Sequence, residues 1–172
     1  LPGGKRRELD YVVQALLEEF QKLVANRMAP RLRFGQVLKI ILFGSYARGD
    51  WVEDPIGRYF SDYDLLIIVD HEDLADTTEF WDTAEARLLK DLSTGKALRT
   101  PVNFIVHSLQ DVNHQLERGR YFFVDIVRDG ILLHDTPASD LVTPAELSPK
   151  TALEEAEGYF EQWFESADLF LE

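Results

Sequence analysis

Val37-Leu38-Lys39-Ile40-Ile41-Leu42-Phe43 is a run rich in branched apolar residues that ends on Gly44, the mark of a buried strand feeding a turn. Two later runs, Leu65 to Val69 and Val102 to His107, have the same character, and Ile131 to His134 forms a shorter one after Gly130. Between and before them the spacing changes. From Arg6 to Met28, the residues Leu9, Val12, Val13, Leu16, Leu17, Phe20, Leu23 and Val24 recur every three or four positions, which predicts an amphipathic helix closed by Pro30. Ser45 to Gly49 reads as a short helix start and Trp51 to Phe60, with Pro55 and Gly57, as an inserted loop. Thr77 to Leu92 reads as a helix with Phe80, Trp81, Ala84, Leu88 and Leu92 inward, and Leu109 to Leu116 and Tyr121 to Val127 as short helices around Gly119. The expected class is α/β (α+β): a mixed sheet of three or more strands backed by helices, with an N-terminal and a C-terminal helix.

A chain of 172 residues that is 45% hydrophobic suits one domain with helical additions. We expect an N-terminal helix and lead-in over 1–35, a central domain over 36–136, a linker over 137–149 and a helix over 150–172. The linker follows from three prolines between Thr136 and Pro149, and the last helix from a stripe of Leu153, Ala156, Phe160, Trp163, Phe164, Ala167 and Phe170 or Leu171. That stripe is too apolar for a solvated tail, so it packs back on the domain, begins a truncated second domain, or forms a homo-oligomer interface. Leu1 to Gly4 resembles a cloning remnant, and no signal peptide or membrane-length apolar run is seen, so a cytoplasmic protein is expected.

Charge and composition narrow the chemistry. There is no cysteine, which excludes disulfides, thiolate metal sites and thiol nucleophiles. A net charge of −13 argues against a protein that holds bare nucleic acid, whereas a nucleotide arriving with its divalent metal suits an acidic cluster. The same acidity also serves solubility.

Gly44-Ser45-Tyr46-Ala47-Arg48-Gly49 follows one strand, and Ser61-Asp62-Tyr63-Asp64 opens the next. A Gly-Ser pair where a strand turns into a helix presents free backbone N–H groups and a hydroxyl at one spot, which is a phosphate site. Gly44 permits close approach of the anion, and Gly49 releases the chain. Aspartates two apart on a strand point to one face, so Asp62 and Asp64 aim together and can hold one magnesium or bridge two, while Tyr63 faces the core.

Gly44-Ser45 with Gly49, then Asp62 and Asp64, resembles the Gly-Ser-x-x-x-Gly and Asp-x-Asp signature of the DNA polymerase beta-like nucleotidyltransferase superfamily, in its minimal branch. The matching core runs from about Val37 to His107. The resemblance implies that Ser45 contacts nucleotide phosphates, that Asp62 and Asp64 bind Mg²⁺ or Mn²⁺, and that an NTP, by analogy ATP, gives a nucleoside monophosphate to a hydroxyl on a protein or small molecule. A looser resemblance is to bacterial proteins that fuse such a domain to a helical HEPN domain. It is carried by the Trp51 to Phe60 insertion and by Gly119-Arg120-Tyr121-Phe122-Phe123-Val124-Asp125-Ile126, Gly130-Ile131-Leu132-Leu133-His134-Asp135 and Tyr159-Phe160-Glu161-Gln162-Trp163-Phe164. It implies that residues from Ser148 onward begin a truncated HEPN domain.

One position departs from the pattern. The superfamily takes a third carboxylate from the next strand, and the matching position here is Asn103, whose amide can ligate magnesium but brings no charge and accepts no proton. Asp50, Asp54 and Asp125 are the alternatives if the fold brings one near. Two functions follow from this: a nucleotidyltransferase using Asp62, Asp64 and Asn103, or a catalytically weak nucleotide-binding or antitoxin-like module.

Other residues divide between roles. Arg48 suits either a phosphate contact or a surface ion pair. His71, His107, His114 and His134 lack metal-ligand spacing. Arg128 and His134 mimic the Arg-spacer-His motif of HEPN ribonucleases by coincidence, because a turn and a strand lie between them. Lys39 with Arg27 to Arg33 reads as a solvated basic cluster.

Overall fold

The computed structural model describes residues 1–26, 30–54, 56, 59–76, 79–137 and 139–145. The chain begins with helix α1 (Gly3–Ala25) and a short α2 (Pro30–Arg33), then enters strand β1 (Val37–Phe43), helix α3 (Gly44–Arg48) and the two-residue strands β2 (Glu53–Asp54) and β3 (Tyr59–Phe60). Strand β4 (Tyr63–Val69) follows, then α4 (Glu72–Asp76), α5 (Glu79–Thr94), β5 (Val102–Ser108), α6 (Leu109–Glu117), α7 (Tyr121–Asp129) and β6 (Ile131–Asp135). Four strands form one mixed sheet in the order β5-β4-β1-β6. β1 is antiparallel to both β4 and β6, and β5 runs parallel to β4, because α4 and α5 return the chain to its starting edge.

Helices cover both faces, so the central strands are apolar on both sides. Alternation sorts the β4 residues cleanly. Leu65, Ile67 and Val69 join the core shared with α1 and α5, and Leu66 and Ile68 join the core under α6 and α7. On the first face Phe20 of α1 stacks on Trp81 of α5 with ring centroids 5.3 Å apart, and the Trp81 indole N–H donates to the Leu74 carbonyl. Tyr11 of α1 donates to Asp91 of α5 at 2.6 Å, and Arg87 of α5 bridges Glu18 and Glu19. Helix α1 thus belongs to the same core as the sheet. On the other face, Val112, Leu116, Phe123 and Ile126 close over Ile41, Leu66 and Ile68.

The expected mixed α/β architecture is the observed one, with differences of detail. α1 begins at Gly3 and takes in part of the supposed remnant, with Pro2 supplying the carbonyl for the Arg6 N–H. It ends at Ala25, and Pro30 opens α2 instead of closing α1, a position where its missing N–H costs nothing. The inserted loop carries the β2-β3 ladder, Glu53 opposite Phe60 and Asp54 opposite Tyr59. Lys39 is not solvated: it is 8% exposed and ion-paired with Asp135, its neighbour across the β1-β6 ladder. Part of the expected linker is fastened to the domain, since Leu141 and Val142 pack on the α6-α7 core and the Val142 N–H donates to Asn113. The C-terminal aromatic stripe lies outside the described residues.

Candidate active site

β1 delivers the chain to Gly44, whose φ of +72° is reached without strain only by glycine. The backbone turns there into α3, and Gly49, at φ +87°, ends the helix with its N–H on the Ser45 carbonyl. Tyr46, on the inner side of α3, is buried against Tyr63 and stacks on Trp51, so the turn is anchored from below. The Ser61 N–H and hydroxyl both engage the Val52 backbone, closing the inserted loop beside β4. Ser61 therefore shapes the site as well as preceding it, a role signalled in the sequence only by its place before the first aspartate.

The register across the sheet completes the arrangement. Phe43, the last residue of β1, is opposite Asp64, and Asn103 of β5 is level with Asp64 on the other side. Parallel neighbours in register share a face, so Asn103 projects with Asp64 and Asp62. Its amide donates to Asp62 Oδ2 at 2.9 Å and also hydrogen-bonds Asp64. Tyr63 points the other way, is fully buried, and donates to Glu8 of α1.

Gly44, Ser45, Arg48, Asp50, Asp62 and Asp64 line one open cleft of about 420 Å³. Burial pushes the Asp64 carboxyl above the ordinary carboxylate range, and the Asp62 charge adds to this, while the Asn103 amide and Arg48 oppose it. Arg48 is exposed and reaches Asp50 at 3.3 Å, the surface ion pair of its two sequence readings, at the mouth of the cleft.

Of the alternatives for a third carboxylate, Asp50 lines the cleft but pairs with Arg48, Asp54 accepts from the Ile56 N–H in the hairpin, and Asp125 pairs with Arg128. Among the described residues no three His, Asp or Glu side chains cluster to bind a metal. The two carboxylates nevertheless suit magnesium, which keeps waters and takes one or two carboxylates plus substrate phosphates; the Asn103 amide presents its N–H side to both, so it holds them in place. The all-oxygen set and the raised Asp64 carboxyl, whose ionised form a cation would stabilise, fit such an ion. The histidines have other work: His107 contacts Asp111 at 2.6 Å, and His71 accepts the Asp73 N–H. Arg128 lies on α7 and His134 on β6, so they form no common motif.

The nucleotidyltransferase domain family matches residues 25–110, half of the chain, spanning β1 to β5 and the whole cleft. The chain belongs to that family. A Methanocaldococcus jannaschii protein named "putative protein adenylyltransferase" is 45% identical over 53 residues, which cover 31% of this chain and 46% of that protein. The chain thus spans about half the length of this curated relative. Among solved structures, a mutant toxin-antitoxin MntA-HpeT crystal structure aligns over 87% of this chain and 91% of the other, at 17% identity and a TM-score of 0.33. No helix among the described residues is long and apolar enough to cross a membrane.

Proposed function

We propose that this nucleotidyltransferase domain moves AMP from ATP to a hydroxyl on a partner protein, with Mg²⁺ or Mn²⁺ held by Asp62 and Asp64. The observation that carries the reading is the convergence of Asp62 and Asp64 on the cleft formed by the Gly44-Ser45 turn. The α3 turn receives the triphosphate through Gly44 and Ser45 N–H groups, and Arg48 lies within reach of its outer oxygens. A bound cation would neutralise developing charge on the phosphates. The acceptor oxygen bonds to the α-phosphorus as the bond to pyrophosphate breaks, and the hydroxyl proton leaves to water because Asn103 offers no basic atom. The protein acceptor is favoured by the name of the archaeal relative, and a HEPN domain beginning near Ser148 is the acceptor that the sequence resemblance supports. The domain limits that go with this reading are 36–136 for the transferase, with 1–35 as its leading helix, 137–149 as linker and 150–172 as the start of the partner region.

A second reading is favoured by Asn103 alone: a weakly active nucleotide-binding module of antitoxin type. Magnesium-dependent pyrophosphate release separates the two. The enzyme reading expects release that Asp62→Ala abolishes; release equal in wild type and Asp62→Ala would refute it, and no release with intact nucleotide binding would favour the module.

A further inference from the structure

The acidic cleft is not the only concavity that opens at Gly44. A groove of about 400 Å³ between α3 and α7 shares Gly44 and Arg48 with it, and its remaining wall is mostly apolar. Phe43 forms the floor with Phe122, edge to face at 5.7 Å, and Tyr121, 41% exposed, stands at the entrance. Asp125 and Asp129 rim the far side, tied to the Arg128 guanidinium at 2.9 and 2.6 Å.

We propose that this groove is the base subsite for the nucleotide and that it selects adenine and cytosine, whose amine stands where guanine and uracil carry a carbonyl oxygen, a statement that rests on the nucleotidyl-transfer reading. Its continuity with the cleft through Gly44 and Arg48 puts the groove within one nucleotide of the phosphate turn. Aromatic rings offer a stacking surface to the flat face of a base. The rim supplies the selection. A carboxylate only accepts hydrogen bonds, and it has about four positions at which to do so, so Asp125 can serve Arg128 and still take an amine N–H. Adenine and cytosine present such a donor on the edge where uracil presents a carbonyl oxygen, which a carboxylate repels. The second guanidinium, on Arg48, sits where the sugar and phosphates leave the groove, and it keeps the rim from repelling the triphosphate.

Calorimetry on the 172-residue chain with Mg²⁺ tests this, using the non-hydrolysable α,β-methylene analogues of ATP and UTP and inorganic tripolyphosphate. Tyr121→Ala, at an exposed position, should weaken the ATP analogue about tenfold and leave tripolyphosphate unchanged. Asp125→Asn, which gives the rim a donor, should narrow the preference for the ATP over the UTP analogue. Equal affinity of the wild type for both analogues, or a Tyr121→Ala loss shared by tripolyphosphate, would overturn the subsite while leaving the phosphate site standing. Loss of all binding in the wild type, tripolyphosphate included, would overturn both.

Discussion

Asp64 Oδ2 is 2.5 Å from the point where a β-carbon on Gly44 would stand. The phosphate turn and the carboxylate therefore share one space, which glycine alone leaves open. Gly44→Ala should destabilise the fold by about 1–2 kcal/mol for its left-handed backbone and also push Asp64 aside, removing magnesium-dependent nucleotide binding. Gly49→Ala has the same backbone cost, but nothing lies within 4 Å of its β-carbon. Thermal melts should group the two variants, and nucleotide titrations should separate them; equal nucleotide affinity in both would contradict the shared space.

Asn103→Asp should add the missing charge and base. Transfer is expected to rise by roughly 10²- to 10⁴-fold, the ordinary range for general-base assistance. The substitution also removes the N–H that bridges to Asp62, so the variant should melt lower than wild type in a chelator and recover with magnesium. Steady-state rates across pH provide the check, since a new carboxylate flattens the rise with pH above its own titration. A highly active wild type impaired by the change would mean that the amide itself positions the acceptor.

Asp64→Asn should stabilise the metal-free protein while abolishing its metal affinity. Burial raises the folded carboxyl above its ordinary value, so ionisation opposes folding at neutral pH. The opposition vanishes as pH falls below about 3.9, the unfolded value, where both states are protonated. Melts in chelator at pH 7 and pH 3 should show a gain at the first and little at the second, with roughly 2–4 °C for each kcal/mol relieved.

Asp135→Asn should act in the opposite sense. Lys39 holds the Asp135 carboxyl below its usual range, so the pair stabilises at pH above about 3.9 and is lost as pH falls through the lower folded value. Denaturant unfolding of the variant should therefore trail wild type at pH 7 and match it in strong acid. Pyrophosphate release should be unchanged, because the pair sits at the β6 edge, away from the cleft.

Leu65→Ala empties a fully buried position in the α1-α5 core, on the face of β4 opposite Asp64. Unfolding measurements should show a loss of about 2–5 kcal/mol. A loss well below that would mean that α1 collapses into the space.

The strands β1, β4 and β5 were legible because each holds a stretch of consecutive apolar residues, Ile40 to Phe43, Leu65 to Val69 and Phe104 to Val106. The Gly44 turn and the shared direction of Asp62 and Asp64 followed from backbone geometry alone. α4 and the β2-β3 ladder were not legible, since five helical residues and a two-residue pairing are shorter than the periodicity needed to detect them. Lys39 was misread because its partner is 96 residues away, and nothing local distinguishes a buried lysine from a solvated one. The Asn103 register was reachable only by resemblance, since strand order and direction depend on where α4 and α5 return the chain. The groove beside α7 was invisible for the same reason: its walls are α3 and α7, more than 70 residues apart in the chain.

The bond from Asn103 to Asp62 closes a loop of 41 residues and links the two strands that pair in parallel. Parallel partners must wait for the crossover between them to fold, and such long closures form late. A nascent or partly unfolded chain without that pairing therefore has the Gly44 turn and both aspartates but not the amide that ties Asp62 down. Anything that binds only when that amide is in place adds its binding free energy to the β4-β5 pairing. Nucleotide supply then becomes a condition on how long the molecule stays folded as well as on what it does.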